Sequence, residues 1–248
     1  MGLVQVPLDF VVGTSTMGRT YSFAANFMPI LDWETEFAVK WSNLSDAQMN
    51  EGIRDPIKAF EYMNRYYVLE GNKRVSVLKY FNAVSIPAIV TRKIPKLSDD
   101  YDVRLYYEYM KFNEITGLCS VEFTKLGNAD KLLSLVGKEG RWDDETKEKF
   151  AKVMFNFSKV YTFRGGDRLD IKLGDAITVF MEVFGMDAML EMSENDYNKN
   201  VINTWKEFAA EGEKHKINLV LNPKKVQTKK SLLNLSLIHI SEPTRLQL

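Results

Sequence analysis

The chain has 248 residues, 45% of them apolar, and its basic and acidic side chains balance at 33 each. This length and apolar content predict one large domain or two modest domains with hydrophobic cores. The balanced charge argues against a protein that grips nucleic acid along its whole length. Cys119 is the only cysteine, which excludes an intrachain disulfide and a cysteine metal site, and two histidines are too few for a histidine-based metal centre. The sequence contains no run of about 18 apolar residues, so it predicts no membrane-spanning helix.

The N-terminal part of the chain predicts a strand, a loop and helices. Residues 3–12 have the composition of a β-strand, and a loop rich in small hydroxyl side chains follows from Gly13 to Thr20. The segment from Tyr21 to Leu31 has helical spacing, with Thr20 as its predicted N-cap. Further helical segments are predicted at 34–41 and 46–50.

The next part of the chain predicts a hairpin, a helix and a returning strand. Two β-like runs, 57–62 and 66–69, are separated by Asn64-Arg65, which is a hairpin signal. The second run leads into Gly71-Asn72-Lys73-Arg74 and then into an amphipathic helix ending at Asn82. A strand that opens through glycine into a helix leaves backbone N–H groups unpaired, and the helix dipole adds partial positive charge there. With two basic side chains added, this turn predicts an anion site, most plausibly for phosphate.

Residues 98–214 predict a second, mainly helical domain after a first domain at 3–97. Residues 99–214 hold 16 basic and 23 acidic side chains, a net charge of −7. That excess of acid makes this block a poor DNA-gripping surface, because phosphate contacts need lysine and arginine. The aromatic run from Tyr101 to Phe112 has helical spacing, so core packing is favoured over base stacking.

The C-terminal part of the sequence has the character of a linker followed by foreign sequence. Residues 235–245, Leu-Ser-Leu-Ile-His-Ile-Ser-Glu-Pro-Thr-Arg, resemble the conceptual translation of a sequencing transposase adapter. We therefore treat 235–248 as an adapter-derived artefact and 215–234 as a basic interdomain linker. On this interpretation the natural protein continues beyond residue 234.

Three boxes in order carry a resemblance to a known family. Gly52-Ile53-Arg54-Asp55-Pro56-Ile57 resembles the Gly-aliphatic-x-x-Pro-aliphatic box of the ParB N-terminal domain. Gly71-Asn72-Lys73-Arg74, which begins 19 residues later, is similar to the Gly-Glu-Arg-Arg box of ParB and to Gly-Cys-His-Arg in sulfiredoxins. Pro87 follows Gly71 by 16 residues, where the family has a Val-Pro-aliphatic strand. The resemblance covers about residues 3–95 and implies an α+β fold: a small mixed sheet with helices of the ParB/sulfiredoxin kind.

The resemblance implies a nucleotide pocket of the CTP or ATP class. The Gly71, Asn72, Lys73 and Arg74 turn would cradle the phosphates, with Arg74 as the anchoring cation. Arg19 falls where the family often has a second phosphate-binding arginine, although a surface arginine is an equal alternative. The base or ribose side would be lined by Gly52, Ile53 and Pro56.

Asn72 is where the chain departs from both families. It replaces the sulfiredoxin cysteine, so sulfinic-acid reduction by that route is excluded. It also replaces the ParB glutamate, which puts nucleotide hydrolysis in doubt. Glu70 is the neighbouring candidate for a catalytic carboxylate or a Mg²⁺ ligand, although pairing with Lys73 or Arg74 is the favoured alternative.

Three functional hypotheses follow, in order of preference. The first is a nucleotide-binding regulatory module at the N-terminal part of a larger bacterial cytoplasmic protein, followed by a downstream ligand-binding domain in the same chain. The second is a nucleotide-dependent phosphotransferase or nucleoside triphosphatase that uses Glu70. The third is a DNA-binding partition-type protein, which the net charge disfavours.

Overall fold

The structure is a computed structural model that describes residues 2–220, except for the side chains of Arg19 and of residues 213–220. The chain divides into two compact units; the first ends at Val121 and the second begins at Glu122. The predicted linker from residue 221 onward and the predicted adapter segment 235–248 lie outside the described residues. Residues 215–220, which we assigned to the linker, are instead the last residues of a helix.

A five-stranded mixed sheet with three helices forms the first unit. Its elements are β1 (Gly2–Pro7), β2 (Val11–Thr14), α1 (Glu36–Asn50), β3 (Ile57–Tyr62), β4 (Arg65–Glu70), α2 (Asn72–Tyr80), β5 (Ser85–Arg92) and α3 (Tyr101–Thr116). The strand order is β1-β5-β3-β4-β2. The β1–β5 and β3–β4 pairs are antiparallel, whereas β3–β5 and β2–β4 are parallel. The predicted α+β class is confirmed.

One face of the sheet forms the core, because alternate side chains of a strand point to opposite faces. In β3, Ile57 and Ala59 are buried while Lys58 is exposed. The predicted hairpin between β3 and β4 turns at Met63 and Asn64, whose φ angles are 52° and 57°. Two consecutive left-handed residues are the geometry of a tight hairpin turn that matches the twist of the strands.

The predicted helix from Tyr21 to Leu31 is wrong. Phe27 has a left-handed φ of 67°, and the side chain of Asn26 accepts a hydrogen bond from the Met28 amide at 3.1 Å. Phe23 and Pro29 form an isolated β-bridge instead. Asparagine competes locally for the backbone, and Pro29 has no N–H for a helical bond, so the helical spacing of the apolar residues is overridden.

Helix α3 belongs to the first unit, whereas we placed the boundary at 97/98. The carboxylate of Glu61, on the buried face of β3, accepts hydrogen bonds from Tyr106 of α3 at 2.8 and 2.9 Å. Arg92 donates to Glu61 at 2.5 Å and to Asn113 of α3 at 3.0 Å. A carboxylate and a guanidinium in the core therefore hold α3 against the sheet.

Up to residue 220 the second unit, which we predicted to be mainly helical, has six α-helices. They are α4 (Asn128–Val136), α5 (Asp144–Phe163), α6 (Leu173–Phe184), α7 (Met186–Glu191), α8 (Glu194–Asn203) and α9 (Trp205–Val220). Phe157, Phe180 and Phe208 are fully buried, with ring centroids 5.0–6.4 Å apart. Aromatic side chains of this size supply much of the apolar surface that a helical unit buries.

Asp143 caps helix α5 and gives that helix an acid-sensitive end. Its carboxylate accepts hydrogen bonds from the Thr146 amide at 2.9 Å and from Lys138 at 2.6 Å. The hydrogen bonds from Lys138 and Thr146 hold the pKa of this carboxyl well below its ordinary value. The stabilisation is therefore present above the unfolded-state pKa and is lost as the pH falls through the lower, folded-state pKa.

We expect Asp143→Ala to lower the melting temperature of the second unit at neutral pH and to have a smaller effect in acid. Thermal melts of both proteins between about pH 6 and about pH 2 measure the difference. Asp143→Asn is the matched control, because asparagine retains the cap but not the charge. A difference between Asp143→Ala and the parent that stays constant across this range contradicts the assignment.

Candidate functional site

Gly71 forms the turn between β4 and α2, and no other residue fits there without strain. Its φ and ψ are 103° and 22°, a left-handed conformation that glycine adopts without steric cost. A Cβ added at this position would lie 2.5 Å from Cγ2 of Ile57. The predicted glycine turn is therefore fixed both by its backbone angles and by its packing against β3.

The N-terminus of α2 has no side-chain cap. Its N-cap residue is Gly71, and the Val75 amide donates the first helical bond to the Gly71 carbonyl at 3.1 Å. The preceding amides of the first turn are the ones that a helix leaves without intrahelical partners. Together with the helix dipole they favour an anionic group at this end of α2.

Asn72, the first residue of α2, has a buried side-chain oxygen without a hydrogen-bond partner in the part of the chain that the structure describes. Only 5% of the residue is exposed, and its Oδ1 is buried without a partner. Among the described residues its side chain makes no hydrogen bond. An unsatisfied buried polar group costs about 1–3 kcal/mol, so it calls for an explanation such as a ligand. From the sequence, Asn72 stood out only because it replaces the cysteine or glutamate of the families it resembles. The lack of a hydrogen-bond partner can be seen only in the folded structure.

Arg74 joins the first two boxes of the family resemblance. Its Nη1 donates to the carbonyls of Asp55 at 3.0 Å and Pro56 at 2.6 Å. Its Cζ would lie 3.3 Å from a Cβ at Gly71, so the guanidinium lies close to the turn. Arg74 is therefore a positioning residue in this structure. Guanidinium has five N–H donors, and within the described residues only Nη1 is engaged.

The other charged residues of the turn are also engaged. The Nζ atom of Lys73 lies 4.5 Å from the centroid of the Phe37 ring, a cation–π distance. Glu70 forms an ion pair with Lys58 at 2.7 Å on the neighbouring strand, whereas we expected Lys73 or Arg74 as its partner. The hydrogen bond from Lys58 lowers the pKa of Glu70. No group of three or more candidate metal ligands occurs within the described residues.

A hydroxyl-rich segment lies beside the turn. Ser15 donates its backbone N–H to the Val68 carbonyl at 2.8 Å, and Thr16 Oγ1 donates to the Leu69 carbonyl at 2.9 Å. This contact places the loop after β2 next to the last residues of β4. Arg19 belongs to a short 3-10 turn in this loop, but its side chain lies outside the described part. The phosphate-binding role of Arg19 stays a prediction.

Gly52 and Ile53 follow the C-terminus of α1, and their backbone amides donate hydrogen bonds to residues of that helix. Gly52 has a φ of 76° and donates its amide to the Ala47 carbonyl at 3.1 Å. The Ile53 amide donates to Gln48 Oε1 at 2.8 Å, and the Ile53 side chain packs against the core. Of the predicted base-side residues, only Pro56 is joined to the turn by a direct hydrogen bond, through its carbonyl and Arg74.

No protein-family model and no curated protein matches the chain. Among solved structures, the chain is similar to sulfiredoxin from Arabidopsis thaliana, at 20% identity and a TM-score of 0.27. The match covers 37% of this chain and 85% of that one. No helix between residues 2 and 220 is both long and apolar enough to cross a membrane.

Proposed function

We propose that the first unit binds the phosphate end of a nucleotide, of the CTP or ATP class, at the N-terminus of α2. The observation that carries the proposal is Asn72, a buried amide with no hydrogen bond among the described residues, at an uncapped helix start. The unpaired atom is the amide oxygen, which would accept from a hydroxyl of the ligand, while the Nδ2 group of the same amide can donate to phosphate oxygens. The helix amides and dipole supply the rest of the attraction.

Lys73 and Arg74 contribute charge and position. Lys73 is the cation at the second helical position, and Arg74 retains donors beyond those that hold the Asp55 and Pro56 carbonyls. A phosphate that accepts from these donors would also fix the segment before β3. Nucleotide binding and the conformation of that segment are then coupled, as a regulatory module requires.

Mg²⁺ would accompany the phosphates rather than occupy a protein-built site. Magnesium bound to nucleotides takes only one or two protein carboxylates. Glu70 adjoins the turn, but its pairing with Lys58 would have to break before it could coordinate a metal. For this reason we place binding ahead of phosphoryl transfer or hydrolysis. Nothing in the described residues favours the DNA-binding alternative.

Isothermal titration with CTP, ATP and GTP, each with and without Mg²⁺, tests the proposal. We expect Asn72→Leu to weaken the binding of the preferred nucleotide by about 5- to 150-fold, the loss of a well-placed polar contact. The same change removes an unsatisfied buried polar group, so the melting temperature should be unchanged or higher. Weaker binding in an equally stable protein separates a ligand role from a structural one.

A matched pair of lysine variants serves as the control. Lys73→Gln removes a cation at the start of α2, and Lys79→Gln removes one in its last turn. Only the first should weaken binding. Absence of heat for all three nucleotides contradicts the proposal, and so does unchanged affinity in Asn72→Leu.

A further inference from the structure

Helix α5 of the second unit carries two large aromatic side chains on the face that points away from its core. The helix buries Phe150, Phe157 and Tyr161, whereas Phe155 is 68% exposed and Phe163 is 81% exposed. Residues three or four apart lie on one face of a helix, so the exposed residues form a continuous row. We call this row the α5 stripe; its members are Glu148, Lys152, Phe155, Lys159 and Phe163. Two exposed aromatic residues in one row, opposite the buried face, indicate a contact surface.

A shallow groove lies beside the stripe, between α5 and α8. It is lined by Phe155, Asn156, Lys159, Val160, Glu194 and Tyr197. Val160 and Tyr197 are almost fully buried, so part of the groove wall is apolar. Lys159 and Glu194 join the two helices by an ion pair of 2.8 Å, and both side chains are more than half exposed. A protruding phenylalanine and a groove on one surface can be complementary to a second copy of that surface, as a two-fold dimer requires.

The charges of α5 are divided along its length. Residues 143–148 hold four acids and one base, whereas residues 149–164 hold four bases and no acid. An antiparallel pair of α5 helices sets the acidic start of each copy against the basic end of the other. A parallel pair sets like charges together. Charge complementarity therefore favours the antiparallel pair.

Antiparallel pairing about the helix midpoint also matches individual residues of the stripe. Helix α5 runs from Asp144 to Phe163, so its midpoint lies between residues 153 and 154. In that register Glu148 would lie opposite Lys159 of the second copy, as an ion pair. Lys152 would lie opposite Phe155 of the second copy, as a cation–π pair. Two-fold symmetry forms each of these pairs twice.

We infer that the α5 stripe is the interface of an antiparallel, two-fold homodimer of this chain. A second copy is the partner because one surface supplies both members of each pair, acid with base and phenylalanine with groove or lysine. The 20 residues of α5 form a helix about 30 Å long. One pair of such helices is a small interface, so the dimer is weak and reversible. The inference does not depend on nucleotide binding.

Sedimentation equilibrium of the full chain, at concentrations from about 1 μM to about 1 mM, tests the inference. The wild type should change from monomer to dimer within this range. Phe155→Ser should weaken association at least about 30-fold, as the loss of a central aromatic residue does in other interfaces. Because Phe155 is mostly exposed in the single copy, the variant should retain the circular dichroism spectrum of the wild type. Val183→Ser, which changes a 56% exposed apolar residue of α6, is the matched control and should associate like the wild type.

A charge swap tests the orientation of the two helices. Glu148→Lys and Lys159→Glu should each weaken association by about 2- to 30-fold, because each reversed pair occurs twice in the dimer. The double variant restores opposite charges and should recover most of the loss. The pair with Glu194 is lost in both Lys159→Glu and the double variant, so the comparison of these two isolates the contact between copies.

Three results would overturn the inference. The first is a wild-type chain that stays monomeric over the whole concentration range. The second is a dimer that Phe155→Ser does not weaken, because association then uses another surface. The third is a double charge variant that associates no better than Lys159→Glu, because the helices are then not paired in the antiparallel register.

Discussion

Replacing Glu61 by alanine should destabilise the first unit by about 3–5 kcal/mol, because it leaves a buried cation without its partner. The Glu61 side chain has no exposed surface, and 14% of the Arg92 side chain is exposed. The carboxylate also accepts from the Asn64 amide at 2.7 Å and from the Tyr106 hydroxyl. One substitution therefore releases the hairpin turn, the end of β5 and helix α3 together.

Denaturant unfolding followed by circular dichroism measures this loss. Glu70→Ala is the matched control, because Glu70 forms an ion pair with Lys58 that is more than half exposed on both sides. Solvent screens such a pair, so its loss should change the midpoint little. Changing Glu61 and Arg92 together to methionine should recover part of the loss, because no buried charge then remains unpaired. Equal midpoints for Glu61→Ala and Glu70→Ala would contradict the buried network.

Gly71→Ala should destabilise the first unit by roughly 2–6 kcal/mol, from two separate causes. Alanine resists the left-handed φ of 103°, and its Cβ would lie 2.5 Å from Ile57 Cγ2. At Gly52 the φ is 76°, but a Cβ meets nothing within 4 Å. Gly52→Ala should therefore cost only the backbone strain, about 1–2 kcal/mol. Urea unfolding of the two variants compares the costs directly.

A double-mutant cycle isolates the steric cause. In an Ile57→Ala background the Cγ2 methyl group is absent, but a contact of 3.1 Å to Cβ of residue 57 remains. Adding Gly71→Ala should therefore cost less than in the parent, although still more than Gly52→Ala. If Gly71→Ala costs the same in both backgrounds, Ile57 does not restrict the turn. This stability cost also means that nucleotide affinity should be compared through Asn72 and Lys73, where substitution leaves the turn intact.

The sequence was sufficient to predict the hairpin, the glycine turn and the helix that follows it. Those predictions rest on local chemistry: alternation in β3 and β4, a turn residue between them, and glycine before a basic helix start. The prediction of a helix at Tyr21–Leu31 was wrong because we gave the helical spacing of its apolar residues more weight than Pro29, which argues against a helix. The burial of Glu61 could also have been predicted, because alternate residues of a strand point to the same face and Glu61 alternates with the buried Ile57 and Ala59.

The remaining features depend on contacts between distant residues. The unpaired amide of Asn72 and the carbonyls that accept from Arg74 depend on how the chain packs, and neither has a signature in residue spacing. Similarly, the domain boundary we predicted near residue 97 followed the change in composition. The described boundary follows Val121, because Tyr106 and Asn113 reach back to Glu61 and Arg92.

The strand pairing also sets the order in which the first unit can fold. Gly2 pairs with Val90 and Val11 with Tyr66. Both edge strands, β1 and β2, therefore pair with strands that are synthesised much later. Pairings of such long sequence separation slow folding, whereas helical units with local contacts fold quickly. During synthesis β1 has no partner in this sheet until β5 has left the ribosome, and in that interval its apolar residues are open to aggregation or to chaperones.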